Sequence, residues 1–118
     1  MQAVEAGDKQ AWLDNFADDA IVEDPVGASI LDPEGTGHRG KEAIAAFWDA
    51  NIGPNEVSFD IRESYAAGDE VANVGTITTR FPGGGVAVVT GVYTYRVGDD
   101  GRLVSLRTHW SMDDVRMD

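Results

Sequence analysis

A chain of 118 residues with 21 acidic and nine basic side chains, a net charge of −12 and no cysteine is sized for a single domain over residues 1–118. It has no disulfide framework, no thiolate nucleophile and no cysteine zinc site. The charge repels a phosphate backbone and an anionic membrane, and Lys and Arg stand singly along the chain, so neither nucleic acid nor membrane is expected as a partner, whereas an uncharged apolar ligand is little affected. No apolar run approaches bilayer length and the first residues lack the basic-then-apolar pattern of a leader, which predicts a cytoplasmic protein.

In chain order, Asp8 is placed to cap a helix running to about Phe16, with Trp12, Leu13 and Phe16 at helical spacing. Only a stub precedes it. Ala20, Ile21 and Val22 read as strand, stopped at Pro25. Proline offers no N–H and pushes Asp24 toward extended backbone, which determines where that carboxylate points. Asp before Pro is also ordinary turn chemistry, so the segment alone leaves a structural and a chemical role open. Glu23 alternates to the other side of the strand, toward solvent. A loop rich in Gly, Pro and Asp leads to a helix over about residues 40–51, where Ile44, Phe47, Trp48 and Asn51 share a face.

From Glu56 the pattern changes to strands over 57–65, 70–81, 86–97 and 103–112, separated by Ala67-Gly68-Asp69, Pro82-Gly83-Gly84-Gly85 and Gly98-Asp99-Asp100-Gly101. These are hairpin signals and predict a mainly antiparallel sheet. Helices followed by a strand meander define an α+β domain. Along 86–95 both alternating sets are apolar or small: Val86, Val88, Thr90, Val92 and Thr94 on one side, Ala87, Val89, Gly91, Tyr93 and Tyr95 on the other. A strand wet on one face does not look like this. Helices covering one face and a second subunit covering part of the other, a homodimer, account for it.

The remaining polar residues carry weaker signals. His109 alternates away from Trp110 and reads as a surface or interface histidine, and His38 sits in a polar loop facing solvent. Two histidines without paired spacing or an ordered carboxylate set make no metal site. Gly83-Gly84-Gly85 lacks the helix and lysine of a phosphate loop and reads as a turn. Asp18-Asp19 and Asp113-Asp114 read as solvated acids.

The block Phe16-Ala17-Asp18-Asp19-Ala20-Ile21-Val22-Glu23-Asp24-Pro25-Val26-Gly27, followed by the stretch from Gly37-His38-Arg39-Gly40 to Phe47-Trp48, resembles the bacterial ketosteroid isomerases of the NTF2-like (SnoaL-like) superfamily. The likeness resumes at Val92-Tyr93-Thr94-Tyr95-Arg96-Val97 and from Gly101 to Trp110, and covers nearly the whole chain. It implies a cone-shaped NTF2-like fold, a curved sheet wrapped around helices over an apolar pocket, with a first helix that is cut short here relative to the family. It implies Asp24 as the base that lifts a proton from the carbon next to a steroid ketone and returns it two carbons along, without a cofactor. Tyr93 falls where the family has a protonated aspartic acid donor, and a phenol can donate in its place; a wall residue with its hydroxyl tied to a neighbour is the other reading. The family's donor tyrosine in the first helix has no counterpart. Trp110 aligns with a pocket wall, and Leu106 and Thr108 share its face; Trp48 and Phe16 replace tyrosines in a substrate-binding lining. The expected ligand is a steroid or other small apolar molecule, and the expected activity is that of a steroid Δ-isomerase, an intramolecular oxidoreductase transposing C=C bonds. The alternatives are a non-catalytic binding protein for such a ligand and another SnoaL-like lyase, cyclase or hydrolase.

Overall fold

The computed structural model describes residues 2–118. Two short helices, α1 (Gln2–Ala6) and α2 (Lys9–Asp14), lead into strand β1 (Phe16–Glu23); the two-residue β2 (His38–Arg39) and helix α3 (Lys41–Asn51) follow. Then come β3 (Glu56–Ala67), β4 (Glu70–Arg80), β5 (Val86–Val97), β6 (Leu103–His109), a 3-10 turn at Met112–Asp114 and β7 (Arg116–Met117). The seven-stranded sheet runs in the order β2-β1-β6-β5-β4-β3, with β7 on β5. It is antiparallel except where β1 lies parallel to β6.

Asp8 caps α2 as expected, its Oδ1 accepting from the Ala11 N–H at 3.1 Å. The helix, however, stops at Asp14 and Phe16 opens β1. The cause is tertiary: the Leu103 N–H donates to the Asn15 carbonyl at 2.7 Å and Phe16 pairs with Leu103, so β6 captures a residue whose spacing also suited a helix. The last long strand likewise ends earlier than its pattern suggests. Ser111 and Asp114 form a reciprocal cap on the 3-10 turn, giving Asp114 a structural task, and the chain turns back so that Met117 pairs with Ala87.

Gly75 and Gly91 face each other across β4 and β5. A Cβ on Gly75 would stand 2.4 Å from the Asp60 carbonyl oxygen, and one on Gly91 would stand 2.6 Å from that of His109. The missing side chains let β3 and β6 fold in over the central pair, which curls the sheet and makes its inner side concave. Into that side pack Trp12, Phe16, Ala20, Val22, Ile44, Phe47, Trp48 and Leu106. Each large apolar side chain so buried contributes about 1.5–3 kcal/mol. Along β5 the odd-numbered residues Ala87, Val89, Tyr93 and Tyr95 face this interior. The even-numbered set faces out, with Val88, Val92 and Thr94 partly buried and Thr90 exposed.

Candidate active site

A cavity of about 530 Å³ opens between the concave sheet, α2, α3 and the loop after β1. Its walls are mostly apolar, and among the described residues Asp24 is the one charged side chain on them. That is the proportion expected of a small-molecule site, a greasy volume with few polar groups.

Asp24 follows the end of β1, and the Asp24–Pro25 peptide is cis. The strand's inward alternation brings Ala20 and Val22 to full burial and continues to Asp24. β6 holds the turn at two points. The Val26 N–H donates to the Thr108 carbonyl at 2.9 Å, and the Thr108 hydroxyl donates to Asp24 Oδ1 at 2.6 Å. Burial pushes the Asp24 carboxyl above its usual range; the Thr108 hydroxyl, the Trp110 indole N–H and the His38 charge pull the other way. The Trp110 contact is the looser, because its Nε1 is buried with no partner inside hydrogen-bond distance.

Tyr93 is 3% exposed and lies across β5–β6 from Thr108. Among the described residues its hydroxyl reaches only the Gly75 and Val89 carbonyls, both at 3.5 Å. Burial first, then the charge of Asp24 and the neighbouring Tyr95, push this phenol up to about 12, with Arg62 opposing. A group so placed stays protonated and can donate to an oxygen that gains charge.

Phe16, Leu106, Thr108 and Trp110 all line the cavity. Trp48 does not, which corrects the expectation that the resemblance implied. It lies one position around α3 from Phe47, 3% exposed, packed against Trp12 with ring centroids 5.2 Å apart and against Gly53, where a Cβ would approach its Nε1 to 2.9 Å. Phe47 takes the wall position.

Two residues near Asp24 stand differently from what their sequence neighbours suggest. His38 is not a solvent-facing loop residue: it pairs with Val22, its ring lies 4.8 Å from that of Phe47, and its Nε2 is buried without a hydrogen-bond partner. Tyr95 lines the cavity beside Tyr93, and burial followed by the charge of Asp24 raises its phenol, with Asn73 opposing. Period-two alternation from Tyr93 was the signal that could have singled it out. Glu23 alternates outward as expected, but there it forms an ion pair with Arg107. His109 is exposed on the outer face near Thr94.

A desolvated carboxylate sharing an apolar cavity with two protonated phenols suits proton transfer at carbon beside a carbonyl, where negative charge appears on an oxygen. Comparisons with known proteins point the same way. A family model described as SnoaL-like domain matches residues 1–106. A steroid Delta-isomerase of Nocardioides simplex is 30% identical over 115 residues, 98% of this chain and 86% of that protein. The crystal structure of Delta 5-3-ketosteroid isomerase from Mycobacterium sp. is 44% identical with a TM-score of 0.96, covering 99% of this chain and 91% of that one. RV0760c from Mycobacterium tuberculosis in complex with estradiol-17beta-hemisuccinate is 37% identical with a TM-score of 0.93, covering 98% of this chain and 90% of that one. With the family model spanning most of the sequence and these likenesses spanning nearly all of it, the chain belongs to the SnoaL-like (NTF2-like) family.

Proposed function

We propose that the protein is a steroid Δ-isomerase-like enzyme that moves a C=C bond within a Δ5-3-ketosteroid or a similar enolisable ketone, with Asp24 as the general base. The observation that carries the reading is that, among the described residues, the single charged group on the cavity wall is a desolvated carboxylate held from one side, in the same cavity as the phenols of Tyr93 and Tyr95. In the first step Asp24 takes a proton from the carbon next to the ketone. The electrons of that C–H bond move into a dienolate, whose oxygen accepts a hydrogen bond from Tyr93. In the second step the carboxylic acid returns the proton two carbons along and the conjugated enone forms. Atoms and electrons balance within the substrate, so the scheme calls on no cofactor. Burial makes the acid a stronger base than one in water, while Thr108, Trp110 and His38 keep it ionised enough to start the cycle.

Phe16, Leu106, Thr108 and Trp110 would bury the hydrocarbon of the ligand, a contribution of about 25 cal/mol per Å² of apolar surface removed from water. A second copy of the chain would cover the outward face of β4 and β5, where Val74, Val88 and Val92 are partly buried without a layer of helices over them. Among the described residues no helix is long and apolar enough to cross a membrane.

A second reading, a steroid-binding protein without turnover, is favoured by one observation. A phenol pushed up to about 12 is a weaker donor to an enolate than an ordinary tyrosine, and it stands where the resembled isomerases use a carboxylic acid. A hydrolase built on an acid–arginine–acid network finds less support, because Arg107 points away from the cavity to Glu23. Steady-state assays of the wild type and Asp24→Asn on a Δ5-3-ketosteroid, run beside titration of a fluorescent steroidal phenol, separate the readings. The isomerase reading expects a rate loss of about 10²–10⁴-fold with binding retained. Binding without turnover in the wild type would leave the second reading standing, and equal rates in the two proteins would remove Asp24 from the chemistry.

A further inference from the structure

Asp24 is held more closely than a cavity carboxylate needs to be. The Thr108 hydroxyl donates to Oδ1 at 2.6 Å, inside the range of charge-assisted O–H···O⁻ bonds, and Thr108 is itself 3% exposed. The carbonyl of the same residue accepts the Val26 N–H at 2.9 Å, just beyond the proline. One residue of β6 therefore clamps both sides of the turn that carries the acid. Thr108 is also the cross-strand partner of Tyr93.

We propose that Thr108 is the positioning residue of this site, fixing the Asp24 carboxylate with Oδ1 occupied and Oδ2 turned to the ligand, at a spacing from Tyr93 set by the β5–β6 ladder. The hydroxyl donates one proton and Oδ1 is its acceptor, which leaves Oδ2, with no hydrogen bond among the described residues, as the oxygen with both lone pairs available to a ligand. A carboxylate on a single freely rotating bond would present either oxygen in several directions, and a proton transfer at carbon tolerates little misalignment. Tying one oxygen to a β-branched side chain, whose own torsion is stiff, removes that freedom before the ligand arrives. The hydrogen bond also favours the charged form of the acid against the pull of burial. The other titratable groups facing Asp24 are His38 from β2 and Tyr93 and Tyr95 from β5, with the Trp110 N–H beyond β6. From α3 the cavity wall takes Phe47, Ala50 and Asn51, none of them charged. Glu23 and Arg107 neutralise each other on the opposite face.

The consequence for turnover rests on the proposed role of Asp24 as base, so the test reads the carboxylate directly. Carbon-13 labelling of aspartate carboxyls, with the Asp24 signal assigned by its loss in Asp24→Asn, gives the midpoint of its titration in the wild type, Thr108→Val and Thr108→Ser. Valine keeps the shape and removes the hydroxyl, and serine returns it. Thr108→Val should move the midpoint upward by about one pH unit and Thr108→Ser should bring it back. A merely structural loss would admit water and move it downward. In the wild type the Thr108 methyl signal should titrate with the Asp24 midpoint and cease to do so in Asp24→Asn, a readout that needs no change at Thr108. An unmoved or lowered midpoint in Thr108→Val, a serine variant behaving like valine, or a methyl signal indifferent to Asp24 would each overturn the proposal. If these signals behave as expected while the wild type shows no isomerisation, the positioning stands and the isomerase reading fails. If the wild type is active, Thr108→Val should lower kcat about tenfold or more with KM little changed.

Discussion

Replacing Tyr93 with Phe removes one oxygen from the wall facing Asp24 and leaves the ring that fills the space. In the free protein that oxygen has only two carbonyl contacts, both at 3.5 Å, the outer limit of a hydrogen bond, so the fold should lose less than about 1 kcal/mol. With its phenol pushed up to about 12 by burial and by Asp24, Tyr93 is protonated wherever Asp24 is ionised and the protein folded. A ketone oxygen carries a partial charge, and the dienolate oxygen carries nearly a full one. The hydrogen bond is therefore stronger in the transition state, and removing one such donor costs about 10²–10³-fold in rate, or about 2.7–4 kcal/mol. The ground state loses an ordinary hydrogen bond of about 0.5–1.5 kcal/mol, at most about tenfold in affinity. The expected pattern is a large fall in kcat with a small change in binding. It is measured by the absorbance of the conjugated enone product, with the affinity of a fluorescent phenol recorded on the same proteins. Tyr95→Phe, measured in parallel, tells whether the second phenol shares the charge, in which case the Tyr93→Phe loss falls at the lower end and the double variant exceeds either single one. Rates within twofold of the wild type in both single variants and in the double variant would refute the assignment of the donor to this pair.

Asp24→Asn should also stabilise the protein near neutral pH. Burial raises the folded-state pKa of Asp24, so its stabilising contribution is complete below the ordinary carboxylate range and is lost as pH rises through the raised value. The melting temperature of the variant should therefore exceed that of the wild type at about pH 7 and the gap should close toward about pH 3; calorimetry showing a gap that widens on acidification would contradict this. Trp48→Phe should lower stability by about 1–3 kcal/mol, read from denaturant midpoints, while ligand affinity stays within about twofold, because the ring packs on Trp12 behind the cavity. Sedimentation at micromolar concentration should show a dimer, and Val92→Glu on the outward face of β5 should yield monomers; a wild-type monomer would mean that the outward face stays open to solvent.

The strands from Glu56 onward were legible because hairpin turns and period-two patterns are local. The boundaries that moved were those decided by distant partners. Phe16 suits a helix by spacing and belongs to a strand because Leu103 pairs with it. Trp48 and Phe47 are neighbours on one apolar helix face, and only the path of the sheet decides which ring meets the cavity. His38 looked solvated because its neighbours in sequence are polar, yet two residues of pairing with β1 are enough to lay its ring against Phe47. Tyr95 shares the alternation of Tyr93, and the resemblance assigns it no role although it stands in the same block. Of the candidate site, the acid and four wall residues, Phe16, Leu106, Thr108 and Trp110, were legible in the blocks that carry the resemblance, whereas most of the wall comes from strands and loops no motif marks, and the hydrogen bond that orients the acid joins residues 84 positions apart and has no local signal.

The parallel pairing of β1 with β6 explains why the acid and its partners meet at one place. In a parallel pair both strands end on the same side, so the residue leaving β1 stands beside those leaving β6. The register sets Glu23 against Arg107. The next position on each strand, alternating to the inner face, is Asp24 on one and Thr108 on the other. Trp110 follows two residues on, again inward, on the same cavity wall. An antiparallel arrangement of the same two strands would have sent Asp24 toward the start of β6, near Leu103, where the cavity wall carries no side-chain donor from that strand. The outward ion pair and the inward hydrogen bond are thus consecutive rungs of one ladder: Glu23 with Arg107 neutralises the pair on the outer face, and Asp24 with Thr108 leaves a single charge on the inner one. Shifting β1 by one residue against β6 would exchange the two faces, turning Glu23 into the cavity and Asp24 out of it. The ladder therefore determines which of two adjacent acids can act as a base, and the apolar set Ala20 and Val22, which would be expelled from the core by the same shift, is what keeps the ladder in register.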